Sequence, residues 1–152
     1  MNLEIEKFKK EIAKLDFNSE LGFCFLEENV YNENTENEFF QYKLKNDLNK
    51  IISFTYYPCN RPVTSNEIAL ILIYPNGGST NLSDFLAYKQ LNRRLSYEDV
   101  LQYRFKVDCD KLEQSIQFQL QKISNLLNGE IKNYLMTEEW IFIPMHDPRD
   151  DY

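Results

Sequence analysis

The sequence predicts an α+β fold in which a helix precedes a mainly antiparallel sheet and further helices follow it. Three observations predict this order. Residues 1–15 have the apolar spacing of a helix, residues 21–74 are rich in aromatic and β-branched residues, and the second half returns to helical spacing. With 152 residues, of which 43% are apolar, we expect one packed domain over 1–152 that ends in a polar tail over 144–152.

The first element is predicted to be an amphipathic helix. Asn2 is a suitable N-cap, and the apolar residues that follow it share one helical face; they are Ile5, Phe8, Ile12 and Leu15. Most lysines of this segment fall elsewhere on the helix. We therefore expect the helix to lie against another layer of the protein.

A four-stranded meander is predicted from the segments LGFCFLEENV, FFQYKLK, KIISFTYYP and EIALILIY. In the third segment, Ile52, Phe54 and Tyr56 alternate with smaller or polar residues, which predicts one covered and one partly solvated face. The fourth segment is apolar on both faces and is expected to lie centrally. KNDLN is short enough to join the second and third strands as a hairpin.

Helices are predicted for the second half. Asn81 and Asp84 suggest a short helix through Gln90, and Ser96 with Asp99 suggests another that continues through Phe105. The segment EEWIFIP is consistent with a short final strand.

The clearest predicted helix comes next. Asp110 and Glu113 form a capping-box pattern, and Gly129 lies where a C-terminal cap belongs. The apolar residues between them repeat at helical spacing; they are Leu112, Ile116, Leu120, Ile123 and Leu127. We expect this helix, with the shorter ones, to pack on one face of the sheet.

Charge and cysteine content limit the classes of function. The formal net charge of −7 disfavours binding to nucleic acid and favours a basic partner. Cys24, Cys59 and Cys109 are odd in number, widely spaced and without a CxxC pair, so three reduced, mostly buried thiols are expected. With no apolar run long enough for a membrane span and charges near the start, we expect a cytoplasmic protein without membrane contact.

Two segments resemble sites but lack the required residues. PNGGST, residues 75–80, contains Gly77 and Gly78 but matches neither GxxxxGK[ST] nor GxGxxG, so we interpret it as a turn in which a glycine takes a positive φ. His146 precedes Asp147 in the polar tail, where burial is expected to be too small for a general base. We therefore expect no catalytic residue, cofactor or metal, although a pair of carboxylates would leave no local pattern.

Two features are candidate partner-binding sites. EENVYNENTENE, residues 27–38, contains five Glu and no basic residue, and we interpret Glu33, Glu36 and Glu38 either as a docking edge for a basic protein or as a solvated loop. Tyr42 and Tyr57 mark a tyrosine-bearing sheet face that is either packed or available to a protein partner.

The layout of the chain resembles the immunity proteins of bacterial contact-dependent inhibition and polymorphic toxin systems. The resemblance rests on the segments LGFCFLEE, KIISFTYYP, EIALILIYP and LLNGEIKNYLMTEEW, together with the small size and acidity of the chain. It implies a stoichiometric inhibitor that blocks a cognate toxin domain, often a nuclease. The alternatives are a non-catalytic interaction domain with another partner and, third, a small hydrolase.

Overall fold

The order of helix, sheet and helices is the one that the sequence predicts. The computed structural model describes residues 2–59, 66–139, 141 and 143. Its elements in chain order are α1 (Leu3–Ile12), β1 (Cys24–Tyr31), β2 (Phe39–Lys45), β3 (Ile51–Tyr57), β4 (Glu67–Ile73), β5 (Ser79–Asn81), α2 (Leu82–Leu91), α3 (Tyr97–Leu101), β6 (Phe105–Lys106), α4 (Leu112–Asn128) and α5 (Lys132–Met136).

The sheet is antiparallel and larger than the predicted four strands. Strands β1 to β5 are adjacent in sequence order, and β6 pairs with β4. Strand β5 was not predicted because its three polar residues have no apolar alternation, and β6 was not predicted because the first of its two residues, Phe105, was assigned to a helix. The predicted central position of β4 is confirmed, since it pairs with β3 along one side and with β5 and β6 along the other.

The two faces of the sheet differ in what covers them. We call the inner face the one whose residues join the main hydrophobic core; they are Phe40, Leu44, Ile52, Phe54, Tyr56, Ile68, Leu70 and Leu72. The opposite side is the outer face, and none of its described side chains belongs to that core. The predicted contrast between a covered and a partly solvated face holds only in part, because the outer-face residues Ser53 and Thr55 in the middle of β3 are each 2% exposed.

Helices pack on the inner face. In α1, the Phe8 ring stacks on Tyr56 with centroids 4.9 Å apart and meets Phe40 edge-on at 5.9 Å. The predicted apolar residues of α4 join the same core; the buried ones are Ile116, Leu120, Ile123 and Leu127. Their burial explains why the helical spacing of α4 was readable from the sequence.

Four of the predicted helix boundaries, including the C-cap of α4 at Gly129, are confirmed and two are wrong. Asn2 and Asn81 cap α1 and α2 with their side chains, and Ser96 forms a capping box with Asp99 at α3. However, α3 ends at Leu101 rather than Phe105. The predicted box of Asp110 and Glu113 is absent, because residues 109–111 form a 3-10 turn that is capped by the side chain of Asp108.

The expectation of three reduced, mostly buried cysteines is wrong. Cys59 follows β3, Cys109 lies in the 3-10 turn before α4, and the two form a disulfide with Cα atoms 5.9 Å apart. Cys24 is a free thiol and is exposed. Spacing in the sequence gave no signal, because the two cysteines are 50 residues apart and meet only when the sheet is complete.

The β2–β3 hairpin holds the end of the last described helix. The Asn46 side chain donates to the Leu135 carbonyl at 2.8 Å. The buried ammonium of Lys50 donates to the carbonyls of Tyr134, Thr137 and Glu139. Carbonyls at a helix C-terminus lack partners within the helix, so these contacts satisfy groups that would otherwise be unpaired.

Candidate protein-binding surface

Residues 27–31 of the acidic segment belong to β1, and residues 32–38, which we call the acidic loop, join β1 to β2. Two of its asparagines have left-handed backbone conformations, with φ of 53° at Asn32 and 65° at Asn34. Asparagine tolerates this region better than most residues, so it suits these turns. The Thr35 hydroxyl donates to the Asn32 carbonyl at 2.6 Å, which further orders the loop. The backbone conformation thus explains the asparagines at positions 32 and 34.

Glu38 is not an exposed docking residue. It is 5% exposed, and its carboxylate accepts hydrogen bonds from the backbone N–H of Asn2 at 2.8 Å and of Asn34 at 2.7 Å. The first bond joins the loop to the start of α1, and the second holds the turn of the loop itself. The expectation that Glu38 faces a partner is therefore corrected, whereas Glu33 and Glu36 are exposed.

An aromatic row crosses the outer face beside this loop. The Tyr31 ring stacks on Phe39 with centroids 4.9 Å apart, and Phe39 contacts Tyr57 at 5.7 Å. Tyr31 is 37% exposed, and the other two are half-buried. We call these three residues the aromatic row.

Tyr42 lies on the opposite face from Tyr57. It is the partner of Phe54 in the β2–β3 register and packs against the main core, and its ring lies 5.2 Å from that of Phe25. Burial, and then the charge of Glu28, raises the pKa of the Tyr42 hydroxyl. The two predicted tyrosines therefore do not form one surface, and only Tyr57 belongs to the outer face.

The acidic loop and the aromatic row are contiguous, because Tyr31 and Phe39 are the residues that flank the loop. Two more carboxylates lie on β1, each beside a lysine: Glu27 is 3.5 Å from Lys43 and Glu28 is 3.1 Å from Lys9. Glu33 and Glu36 extend the acidic character beyond the strands. This end of the sheet thus presents aromatic surface next to negative charge.

Sequence reasoning missed Tyr31 and Phe39. The available signal was the alternation of β1 and β2, which assigns both residues to the same face as Tyr57 once the register is known. Proximity across strands depends on pairing, and the loop length did not fix the register.

The glycine segment PNGGST closes the β4–β5 hairpin. The N–H of Gly77 donates to the Tyr74 carbonyl at 2.9 Å, and the N–H of Tyr74 donates to Gly78 at 2.8 Å. Gly77 has φ of 91°, so the predicted glycine with positive φ is confirmed. This arrangement is typical of a three-residue hairpin loop that ends in a left-handed residue.

Other candidate sites offer less. A surface pocket of about 300 Å³ is lined in part by Leu48, Lys50 and Glu138, but the Lys50 ammonium is occupied by backbone carbonyls. Within the described residues, no group of three or more His, Cys, Asp or Glu is arranged to hold a metal ion. His146 and Asp147 lie outside the described residues, as do residues 140, 142 and 144 of the predicted final strand, and the described residues of that segment do not lie in a strand.

Over the ranges that the structure covers, no helix has the length and apolar character needed to cross a membrane. Comparisons with protein-family models, with curated proteins and with solved structures found no match to this chain.

Proposed function

We propose that this chain is a stoichiometric inhibitor that binds and blocks a basic toxin domain, with the acidic loop and the aromatic row as its contact surface. The observation that carries the proposal is the juxtaposition of exposed Glu33 and Glu36 with Tyr31, Phe39 and Tyr57 at one end of the sheet. The proposal also uses the resemblance to bacterial immunity proteins in layout and acidity.

The chemistry of such a surface suits inhibition by occlusion. A nuclease binds phosphate through basic side chains, so its cleft attracts an acidic surface and association is accelerated by the summed field. Aromatic side chains then supply contact area that needs little ordering on binding, which is why tyrosine is common in binding hot spots. Inhibition of this kind needs no catalytic group, cofactor or metal in the inhibitor.

The structure changes which predicted residues enter the proposal. Glu33, Glu36 and Tyr57 remain, and Tyr31 and Phe39 are added. Glu38 and Tyr42 are removed because both are used in packing the fold.

A second candidate is a non-catalytic interaction domain for a partner that is not basic. The aromatic row favours it, because stacked rings on a face outside the main core bind apolar surface whatever the partner's charge. A small hydrolase is the third candidate and has no observation of its own. A cytoplasmic location stays a prediction, and the disulfide weighs against it because disulfides persist mainly in oxidising compartments.

The first experiment is coexpression with the toxic domain encoded in the adjacent reading frame. Inhibition predicts that this chain restores growth and forms a one-to-one complex with the purified domain. Growth arrest that this chain does not relieve, with both proteins expressed and soluble, would reject the inhibitor function.

Charge reversal then tests the surface. Glu33→Lys with Glu36→Lys should slow association by about tenfold or more at low salt, and the difference should shrink as salt rises, because charges in water are screened within about 8 Å at physiological ionic strength. The matched control is Glu98→Lys with Glu113→Lys, which makes the same change of net charge on helices α3 and α4. Equal rates for the two double variants would remove the acidic loop from the interface, and a partner bound without salt dependence would favour the second candidate.

A further inference from the structure

We propose that β1 is an open edge of the sheet at which an extended, basic segment of the partner adds as a further strand. The proposal rests on the inhibitor function above and specifies how the partner is held. Strand addition uses backbone hydrogen bonds for affinity and the flanking side chains for specificity.

The edge is open along eight residues. Strand β1 pairs with β2 on one side, and no strand in the described part of the chain pairs with its other side. Seven of its eight residues are exposed, and they include Phe25 at 55% and Leu26 at 43%. Natural sheets often protect such edges with proline or charged side chains; β1 has no proline or lysine, and its charged residues are Glu27 and Glu28.

The only irregularity in the described pairing of β1 with β2 is a bulge near the start of β1. The register with β2 shifts between Phe25 and Glu27, and from Glu27 to Tyr31 the pairing is regular. Bulges blunt edge strands by twisting them away from a flat pairing surface. The regular part of β1 is thus the part that can accept another strand.

The outward backbone groups follow from the alternation of an antiparallel ladder. The N–H of Asn46 donates to the carbonyl of Lys50 at 3.1 Å, so this pair and every second pair behind it are hydrogen-bonded between β2 and β3. The β2 residues whose backbone N–H and C=O groups point to β3 are therefore Leu44, Tyr42 and Phe40. The backbone N–H and C=O groups of the residues between them point to β1.

The directions of the β2 backbone groups also fix which backbone groups of β1 face β2. Gln41 points to β1, where its partner is Asn29, so the N–H and C=O of Asn29 are used within the sheet. The backbone groups of the neighbouring residues Glu28 and Val30 point away from β2. Their N–H and C=O groups form the free edge that an added strand would pair with.

The side chains beside this edge favour a basic occupant. Glu27 extends on the outer face with half of its side chain exposed and 3.5 Å from Lys43, and Glu28 extends on the inner face with 37% exposed and 3.1 Å from Lys9, so a basic partner would compete with one lysine at each carboxylate. The acidic loop continues the negative charge at the end of the strand. Lysine or arginine at successive positions of an added strand would meet a carboxylate on either face.

A second copy of this chain fits the edge less well. Each copy carries a formal net charge of −7, and pairing of two β1 strands would bring the glutamates of both strands close together. Repulsion between like charges across neighbouring strands opposes that arrangement. The basic partner is therefore the occupant that the charges select.

Amide hydrogen exchange tests the proposal with the wild-type chain and the purified toxic domain from the adjacent reading frame. On complex formation, the amides of Glu28 and Val30 should become at least about tenfold slower to exchange, because they acquire hydrogen-bond partners. The amide of Asn29 is the internal control, since it is already bonded within the sheet. A complex that leaves Glu28 and Val30 unprotected overturns strand addition while the inhibitor function stands.

A substitution pair gives an independent measurement. Glu28→Pro removes an outward N–H, whereas Glu28→Ala removes the same carboxylate and keeps the N–H; proline is tolerated where the N–H of an edge strand faces solvent. Strand addition predicts that the Pro variant binds at least about tenfold more weakly than the Ala variant, with both folded by circular dichroism. Equal affinities overturn the proposal.

The remaining outcomes are also decisive. Protection of the Glu28 and Val30 amides that grows with the concentration of this chain alone would assign the edge to a second copy and reject the basic segment. Failure of the toxic domain to bind at all would reject the inhibitor function and strand addition together.

Discussion

Tyr56 and Tyr57 are neighbours in the sequence but lie on opposite faces of the sheet. Tyr56 is fully buried, stacks on Phe8 of α1 and donates a hydrogen bond from its hydroxyl to Glu4 at 3.0 Å. Tyr57 is half-buried and contacts Phe39 in the aromatic row. One tyrosine joins the sheet to a helix, and the next belongs to a surface outside the core.

Two adjacent residues therefore have different expected roles, one in stability and the other in recognition. Burial of a large aromatic ring contributes to the free energy of folding through apolar area and close packing. A half-buried ring contributes less to folding and keeps area available for a partner. The inner face is therefore expected to determine whether the chain folds, and the outer face to determine what it binds.

The largest expected effect comes from truncating the inner residue. Tyr56→Ala should lower the free energy of unfolding by about 3–5 kcal/mol, because it leaves a cavity against Phe8 and removes the donor to Glu4. Tyr57→Ala should cost about 1 kcal/mol or less, as expected for a cross-strand contact that is partly solvated. Urea denaturation monitored by circular dichroism measures both.

Tyr56→Phe measures the contribution of the hydroxyl alone, because it keeps the ring and removes only the hydroxyl. Its cost should fall between those of the two alanine variants. Equal losses for Tyr56→Ala and Tyr57→Ala would mean that the outer face is as much a part of the folded core as the inner face.

The next effect concerns the disulfide, which begins two residues beyond Tyr57. Cys59→Ser with Cys109→Ser should lower stability by about 2–4 kcal/mol, because the crosslink closes a loop of about 50 residues in the unfolded chain. The melting temperature should fall accordingly, and dithiothreitol should lower that of the wild type but not that of the double variant. Cys24→Ser is the control and should leave the melting temperature nearly unchanged, since this thiol is exposed. A wild-type melting temperature that is insensitive to reduction would show that the crosslink contributes nothing.

The smallest effect compares two glutamates of the acidic loop. Glu38→Gln should cost about 1–3 kcal/mol, because a neutral amide accepts fewer hydrogen bonds and leaves the N–H of Asn2 or of Asn34 without its carboxylate acceptor. Glu36→Gln should stay within about 0.5 kcal/mol, as for other exposed positions. Thermal unfolding at neutral pH measures both, and similar melting temperatures would contradict the structural role of Glu38.

Much of the fold was readable because apolar spacing repeats over several turns or strands. Helices α1 and α4 were predicted from spacing that their burial confirms, and β4 was placed centrally because both of its faces are apolar. Strand β5 carries no such pattern, since its residues Ser79, Thr80 and Asn81 are polar and are placed by the hairpin before them.

The candidate surface was only partly readable, because exposure depends on contacts between distant residues. Glu36 and Glu38 have similar sequence surroundings, yet only Glu38 meets the start of α1, 36 residues away. Tyr42 and Tyr57 were grouped by residue type, whereas alternation along paired strands puts them on opposite faces. The disulfide likewise depended on tertiary proximity.

The bond between Lys50 and the carbonyl of Tyr134 spans 84 residues, and this span has a consequence during synthesis. At about 5–20 residues per second, a ribosome needs roughly 4–17 s to make the chain that separates them. The β2–β3 hairpin is complete early in that interval, whereas the carbonyl groups that Lys50 binds do not yet exist. The Lys50 ammonium therefore lacks these partners until residues 134–139 have been made, so this part of the fold is completed late in synthesis.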